Sequence, residues 1–320
     1  MIKAKLLLFL LLPGFVSGTL GVNPVFKLKA SGNVTDMVKE NNILYVATDA
    51  GIVDIFNIPL RKTVSKIALP GVTDFMGDSI PAKVYSVDKI PGNDDILIVC
   101  QGTSGFRNVF VHNGRLKKII DAGTGKMMIK EARFVNNNLI IMGLTSDELI
   151  LYDIINSSIV YRKQISHYTF DDLVLSEDKN FILTSDESGV VQMFETETGN
   201  LIKTFKGNNV DNVFKIDFKN NVLICGGQDR RLAVYDDNNG TDYYIQSDFL
   251  IYCAGLNPAG NKGAYSANED NDVVIFDIAS RQELYTLKGS VSTLTCILFY
   301  SDNELITSSE SEEILFWKLN

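Results

Sequence analysis

The chain has 320 residues and a formal net charge of −9, and 45% of its residues are hydrophobic. A sequence of this length and apolar content can bury a large core, which excludes an intrinsically disordered protein. The acidic balance argues against nucleic acid as a partner, because phosphate binding needs clustered Lys and Arg side chains. It favours a cationic partner instead.

The first eighteen residues have the layout of a cleaved secretory signal peptide. Lys3 and Lys5 precede an apolar run from Leu6 to Leu12, a Pro-Gly break follows, and the segment closes on small residues at Gly18. The run is too short to span a bilayer, although an N-terminal anchor is the alternative. We expect cleavage of residues 1–18 and a single domain over residues 19–320, without membrane insertion, that is periplasmic or secreted.

The rest of the chain repeats with a nearly constant period. Short apolar runs end on a large apolar residue followed by a polar one, as in "LAVYD" and "VVIFD", and the gaps between these landmarks are 55, 41, 42, 41, 41 and 41 residues. A period of this size predicts a stacked architecture of repeated units. The seven landmark residues are Phe56, Val111, Tyr152, Phe194, Tyr235, Phe276 and Trp317.

Each repeat predicts four short antiparallel strands. An apolar strand opens the repeat, and a second strand ends in a turn rich in Asp, Ser and Gly, such as "SDESG". The landmark strand is the third, and a fourth strand follows it. Four strands in each period describe one blade, so the sequence predicts an all-β, seven-bladed β-propeller.

The two ends of the chain are predicted to complete the same blade. The seventh repeat stops after its third strand, "ILFWKLN" at residues 314–320, whereas the extended segment "NPVFKLKAS" at residues 23–31 precedes the first repeat. Pairing of this N-terminal strand beside the last strand supplies the missing fourth strand. It also covers an edge whose backbone groups would otherwise lack hydrogen-bond partners.

The repeat pattern resembles the WD40-like propellers over the whole mature chain, with degenerate motifs. The family's Trp-Asp ending is Phe-Asp, Tyr-Asp or Phe-Glu in most blades, and its Gly-His pair is absent. Because the chain has only two histidines, His112 and His167, the family's buried Asp-His-Ser-Trp network cannot recur in each blade.

An exported propeller that begins "NPVFKLKASGNVTDMV" also resembles NapL, the accessory propellers found with bacterial periplasmic nitrate reductases. This resemblance implies a non-catalytic binding or scaffold protein. Its partner would be a nitrate reductase or cytochrome component.

The turns between second and third strands supply a candidate protein-binding face. All these turns emerge on one face of a propeller, and six of the seven blades place a carboxylate there. A ring of negative charge attracts a cationic partner, but Asp is also favoured in such turns because it hydrogen-bonds to nearby backbone. The candidates are Asp49, Asp147, Asp186, Asp229, Asp270 and Glu310.

The gap of 55 residues adds a long connection between blades one and two, mostly at residues 70–83. It carries Phe75 and Met76, and we expect it on the same face as the acidic turns. These two side chains either anchor a partner or fold back onto the core.

The competing hypothesis is a secreted, metal-dependent hydrolase of the lactonase type with its site in the central channel. The innermost strands offer Asp36, Glu131, Asp171, Asp172 and Asp217, without a spacing that identifies a site. Neither histidine is an obvious base, and none of the four cysteines has a metal-site spacing. The sequence therefore predicts no catalytic residue, no cofactor and no metal.

Overall fold

Seven antiparallel sheets follow one another along the chain in a computed structural model that describes residues 20–320. Six of these sheets have four strands in chain order, and one of the six carries a fifth strand at its edge. The seventh sheet takes its fourth strand from the beginning of the described chain. The predicted seven-bladed β-propeller is confirmed. The predicted signal peptide, residues 1–18, lies outside the described residues.

The chain begins with β1 (Leu20–Val22) and β2 (Phe26–Lys29). Blade one contains β3 (Val34–Glu40), β4 (Ile43–Thr48), β5 (Ile52–Asn57) and β6 (Lys62–Ala68), and the hairpin β7 (Val72–Thr73) and β8 (Ser79–Ile80) follows. Blade two contains β9 (Val84–Lys89), β10 (Ile96–Gln101), β11 (Arg107–His112) and β12 (Leu116–Ile120). A 3-10 turn (Thr103–Gly105) and the one-turn helix α1 (Ala122–Gly125) interrupt its connections.

Blade three contains β13 (Ile129–Phe134), β14 (Leu139–Leu144), β15 (Glu148–Asp153) and β16 (Ser158–Gln164). Blade four contains β17 (Phe170–Leu175), β18 (Phe181–Asp186), β19 (Val191–Glu195) and β20 (Leu201–Phe205). Blade five contains β21 (Val213–Lys219), β22 (Val222–Gly227), β23 (Arg231–Asp236) and β24 (Thr241–Gln246).

Blade six contains β25 (Ala254–Leu256), β26 (Lys262–Ser266), β27 (Val273–Asp277) and β28 (Glu283–Leu287). Blade seven contains β29 (Leu294–Ser301), β30 (Glu304–Ser309) and β31 (Glu313–Lys318), and β2 is its fourth strand. Among residues 20–320, no helix has the length and apolar character needed to cross a membrane.

Burial follows the position of each strand in its blade. The second strands are almost fully buried, as in β22, because neighbouring blades pack on both faces of the sheet. The fourth strands lie at the outer edge, and β16 is mostly exposed. All seven landmark residues occupy third strands and are buried. Among them, the Trp317 indole Nε1 donates a hydrogen bond to Thr307 Oγ1 at 2.9 Å.

The two ends of the chain close the ring as predicted. Strand β2 pairs antiparallel with β31, with Phe26 opposite Phe316. The two rings are stacked with centroids 4.0 Å apart, and the backbone N–H of Val25 donates to the Phe316 carbonyl at 2.7 Å. The inner strands lie side by side around the whole circle, since β29 of the last blade adjoins β3 of the first.

One strand was not predicted. Strand β1 adds to the outer edge of blade six and runs parallel to β28, with Leu20 opposite Tyr285. The backbone N–H of Lys288 donates to the Val22 carbonyl at 3.2 Å. Three residues show no periodicity, so the sequence offers no signal for this pairing. The N-terminal segment therefore bridges blades six and seven.

Candidate functional site

One face of the propeller is formed by the turns between second and third strands together with the connections between blades. We call it the upper face, and the opposite face, formed by the remaining turns, the lower face. The same backbone hydrogen bond recurs on the upper face and ties each turn to the connection that precedes its blade. Examples are Thr145 N–H to the Met128 carbonyl at 2.9 Å and Glu310 N–H to the Thr293 carbonyl at 2.9 Å.

The two faces differ in charge. The turns and connections of the lower face hold seven acidic and four basic residues, whereas those of the upper face hold fourteen and five. The basic residues of the upper face are Lys83, Lys126, Lys206, Arg230 and Lys288. Its acidic residues are Asp49, Asp74, Asp78, Asp121, Asp147, Glu187, Asp211, Asp229, Asp248, Glu269, Asp270, Asp272, Glu310 and Glu312. The upper face is thus the more electronegative of the two.

The six predicted acidic residues lie at this face but differ in exposure. Asp270 and Glu310 are exposed, and neither accepts a hydrogen bond from a residue in the described part of the chain. Asp49 and Asp229 are half-buried, whereas Asp147 and Asp186 are buried. Of these six acids, only Asp270 and Glu310 are therefore exposed enough to contact a partner directly.

Three of these acids bind a polar side chain from the connection that precedes their own blade. Asp49 accepts from the Asn33 side-chain amide at 3.0 Å, and Asp186 accepts from the Ser166 hydroxyl at 3.0 Å. In the same way, Asp229 accepts from an Asn209 amide at 3.2 Å. The donors to these acids are thus neutral Asn and Ser side chains, and the acids order the turns that carry them.

Asp147 is the exception among the turn acids. Its backbone is left-handed, with φ 58°, its side chain is fully buried, and neither carboxylate oxygen has a hydrogen-bond donor among the described residues. Burial raises the pKa of Asp147 to about 6, and the negative charge of Asp186 adds to the rise. Of the predicted acids, the structure therefore brings these two together.

The long connection forms a hairpin that projects from the upper face. Strands β7 and β8 pair through Val72–Ile80 and Thr73–Ser79, and the tip carries Phe75 and Met76 with 97% and 74% of their surface exposed. Of the two arrangements that the sequence left open, the structure shows the projecting one.

The inner strands enclose a channel of about 470 Å³ that reaches the upper face beside Thr293 and Glu310. Its wall combines aromatic rings from three blades with a belt of charged side chains. The aromatic residues are Tyr85, Phe214 and Tyr252, and the charged ones are Asp36, Lys130, Glu131, Arg133, Asp171, Asp172 and Lys215. Four of the five inner-strand acids singled out in the sequence therefore meet in the channel, and Asp217 does not.

The inner-strand acids join neighbouring blades. Five of them accept a hydrogen bond from a backbone N–H of the next inner strand, which links blades one to six in order. The pairs are Asp36 with Val87 (2.9 Å), Asp88 with Phe134 (2.6 Å), Glu131 with Leu173 (3.2 Å), Asp172 with Ile216 (2.9 Å) and Asp217 with Leu256 (2.8 Å). This role was not predicted from the sequence, and Asp88 was not among the predicted residues.

The channel acids are also paired with basic side chains. The Arg133 guanidinium lies 2.8 Å from Asp36 Oδ2 and 2.6 Å from Glu131 Oε1, and the Lys215 ammonium donates to Asp172 Oδ1 at 2.7 Å. Within residues 20–320, no three His, Cys, Asp or Glu side chains are grouped to hold a metal ion. These acids are engaged in holding the ring together, and the metal-dependent hydrolase hypothesis finds no ligand set among them.

Comparison with known proteins identifies the fold and no closer relationship. No protein-family model matches the sequence, and no curated protein matches it. Among solved structures, the β-propeller domain of Cps50 (Swd1) from Myceliophteria thermophila superimposes with a TM-score of 0.72 at 15% sequence identity. The match covers 93% of this chain and 100% of that domain. It supports a WD40-like propeller, and nothing in the comparisons supports the resemblance to NapL.

Proposed function

We propose that this propeller is a binding scaffold whose upper face takes up a cationic protein partner. The observation that carries the proposal is the charge asymmetry of the two faces, since acidic residues outnumber basic ones by nine on the upper face and by three on the lower face. A surface of one sign raises the rate of encounter with a partner of the opposite sign and selects against partners of like charge.

The burial of some turn acids is compatible with this function. Carboxylates such as Asp49 and Asp229 accept hydrogen bonds from neutral donors, so their charge is not cancelled. Meanwhile Glu269, Asp270 and Glu310 are exposed. The buried acids thus shape the turns and contribute to the field, whereas the exposed ones are available for contact.

The test measures binding to cytochrome c as a basic probe, with acetylated cytochrome c, whose lysines are neutralised, as the matched control. We expect the native probe to bind, with an affinity that falls as ionic strength rises, because salt screens exposed charges. The double variant Glu269→Lys and Asp270→Lys should weaken binding.

The control variant places the same change of charge on the lower face, at Asp94 and Glu197, which are also exposed. Asp94→Lys with Glu197→Lys should leave binding nearly unchanged. Equal losses from the two double variants would show that only net charge matters, and binding that ignores salt would contradict an electrostatic face.

The proposal also includes export of the chain to the periplasm or the exterior, which the signal-like sequence pattern of residues 1–18 supports. Cell fractionation of the full chain should recover a product that starts near residue 19. The finer hypothesis, an accessory of the periplasmic nitrate reductase, is supported by sequence resemblance alone. Purified nitrate reductase and its cytochrome subunit should then compete with cytochrome c for the upper face, and failure to compete would remove this hypothesis without affecting the cationic face.

A further inference from the structure

Six large apolar side chains are exposed on the upper face, and all of them lie in connections between blades. They are Phe75, Met76, Met128, Tyr168, Val210 and Val291. Among the described residues, the turns of the lower face expose only Leu60 and Ile155 in the same way, apart from Val25 in the N-terminal segment. The apolar asymmetry of the two faces therefore parallels the charge asymmetry.

Several of these apolar residues are held in place by side-chain acceptors. Asp74 Oδ1 accepts from the backbone N–H groups of Met76 and Asp78, both at 2.9 Å, which fixes the tip of the β7–β8 hairpin. The Val210 N–H donates to Asp229 Oδ2 at 2.8 Å. Such contacts reduce the conformational entropy lost on binding, because the exposed side chains are already presented by an ordered backbone.

The same arrangement is found at Tyr168. Its backbone N–H donates to the Ser166 hydroxyl oxygen at 3.0 Å, and that hydroxyl donates in turn to Asp186. One of the buried acids predicted from the sequence therefore supports an exposed aromatic residue. The part of Asp186 in binding is to position Tyr168.

Apolar surface continues towards the centre of the face. Phe214 and Tyr252 stack with ring centroids 5.2 Å apart at the channel mouth, and the Arg107 guanidinium lies over Tyr85 at 3.9 Å from its ring centroid. Exposed apolar side chains that lie among carboxylates match a partner surface that offers both apolar and basic groups, because buried apolar anchors supply affinity and charge supplies orientation.

We propose that the upper face binds a segment that is both apolar and basic, with the Phe75–Met76 tip as its principal anchor. This inference rests on the proposed function and adds to it an apolar requirement that charge alone does not impose. A lipid surface is the other apolar ligand that an exposed Phe-Met tip can enter.

The test uses three synthetic peptides of equal length, labelled for fluorescence anisotropy. One alternates Lys with Leu, the second replaces Leu by Ser, and the third replaces Lys by Glu. We expect the Lys-Leu peptide to bind at least tenfold more tightly than either of the others. The double variant Phe75→Ser with Met76→Ser should lower its affinity by about thirtyfold or more, since anchor residues cost at least about 2 kcal/mol when truncated.

Two controls separate anchoring from general effects. Leu60→Ser with Ile155→Ser removes exposed apolar groups from the lower face and should leave the affinity unchanged. The tip variant should unfold at the same temperature as the wild type, because its side chains contact solvent and not the core. Its affinity for cytochrome c should fall much less than its affinity for the Lys-Leu peptide.

The remaining outcomes overturn the inference in distinguishable ways. Equal binding of the Lys-Leu and Lys-Ser peptides would remove the apolar requirement and leave the cationic partner standing. Tip-dependent binding to neutral phosphatidylcholine vesicles, without peptide binding, would make the tip a membrane anchor. If neither basic peptide nor cytochrome c binds, the proposed function fails as well.

Discussion

Glu131 provides the sharpest test of how the channel is held together. Its carboxylate accepts a hydrogen bond from Leu173 N–H at 3.2 Å and lies 2.6 Å from Arg133. Even so, burial raises the pKa of Glu131 from 4.5 to about 8, because the loss of hydration outweighs the attraction of Arg133 and the charge of Asp172 adds to the rise. The substitution Glu131→Gln keeps the shape of the side chain and removes the ionisable group.

The sign of the effect follows from this pKa. When folding raises the pKa of a carboxyl group, the group costs no stability at a pH below its pKa in the unfolded protein. The cost then grows as the pH rises towards the pKa of the group in the folded protein. Because one pKa unit corresponds to about 1.4 kcal/mol, the cost of Glu131 is under about 1 kcal/mol at pH 5 and about 3 kcal/mol at pH 7. The neutral amide of the Glu131→Gln variant avoids this cost but loses the charge attraction to Arg133. The Arg133 guanidinium keeps its ion pair with Asp36 at 2.8 Å.

The assay is urea-induced unfolding of the full chain at pH 5, 7 and 8. We expect Glu131→Gln to be neutral or destabilising at pH 5 and to gain about 3–4 kcal/mol relative to the wild type between pH 5 and pH 8. Glu197→Gln, at an exposed site on the lower face, should show no such trend. A loss of stability that is the same at every pH would refute the reasoning, since it would mean that an ionised Glu131–Arg133 pair outweighs the cost of burial.

Three further predictions concern other buried groups. Asp147→Asn should stabilise the protein above pH 6 by up to about 3 kcal/mol, because burial raises the pKa of Asp147 to about 6; a gain that persists at pH 3 in chemical unfolding would contradict this cause. Trp317→Phe should cost about 2–4 kcal/mol in urea unfolding, since it empties buried volume and leaves Thr307 without its indole donor; an unchanged midpoint would show that the contact contributes nothing. Cys100 should resist iodoacetamide in the native protein, because burial raises the pKa of its thiol to about 12. Mass spectrometry should detect labelling only after denaturation, and labelling of the folded protein would contradict the burial of this thiol.

The number of blades could be predicted because it depends on a count along the chain. Landmark residues such as Phe276 and Trp317 recur at a constant gap, and closure follows from the need to pair the last strand. Neither the repeat count nor the closure of the ring predicts strand β1. A parallel pairing of Leu20 with Tyr285 depends on where the N-terminal segment passes in space, and no spacing in the sequence encodes that path.

The channel could have been assembled from the sequence in part. Asp36, Glu131 and Asp172 each stand two residues after the buried first residue of their inner strand, and the strand register shifts at the same place in all three. Aligning the inner strands on that first residue would have placed these acids in one ring. Their hydrogen bonds to the next blade could not be predicted, because they require the angle and distance between adjacent sheets.

The partners of the turn acids show a similar limit. The chain has only two histidines, so the sequence predicts that the family's network does not recur. In the structure Asn33 and Asn209 donate to turn acids instead. Each lies sixteen or twenty residues before its turn Asp, a spacing that the sequence displays. The spacing alone does not predict these contacts, because they depend on the connection before a blade passing beside the turn of that blade.

The sequence leaves open whether the turn acids order the backbone or attract a partner, and the hydrogen bonds in the structure show that the first role does not exclude the second. Asp229 accepts hydrogen bonds from neutral donors and in doing so fixes Val210 in an exposed position. A neutral donor leaves the carboxylate charged, so ordering the turn does not remove its field. The exposure of each acid decides what its substitution changes. The exposed pair, in the variant Glu269→Lys with Asp270→Lys, should alter affinity for the cationic partner without altering stability. The half-buried acid, in the variant Asp229→Lys, should alter both. If Asp229→Lys kept the wild-type unfolding temperature, the acid would have no ordering role, and the backbone of the upper face would have to be held by other contacts.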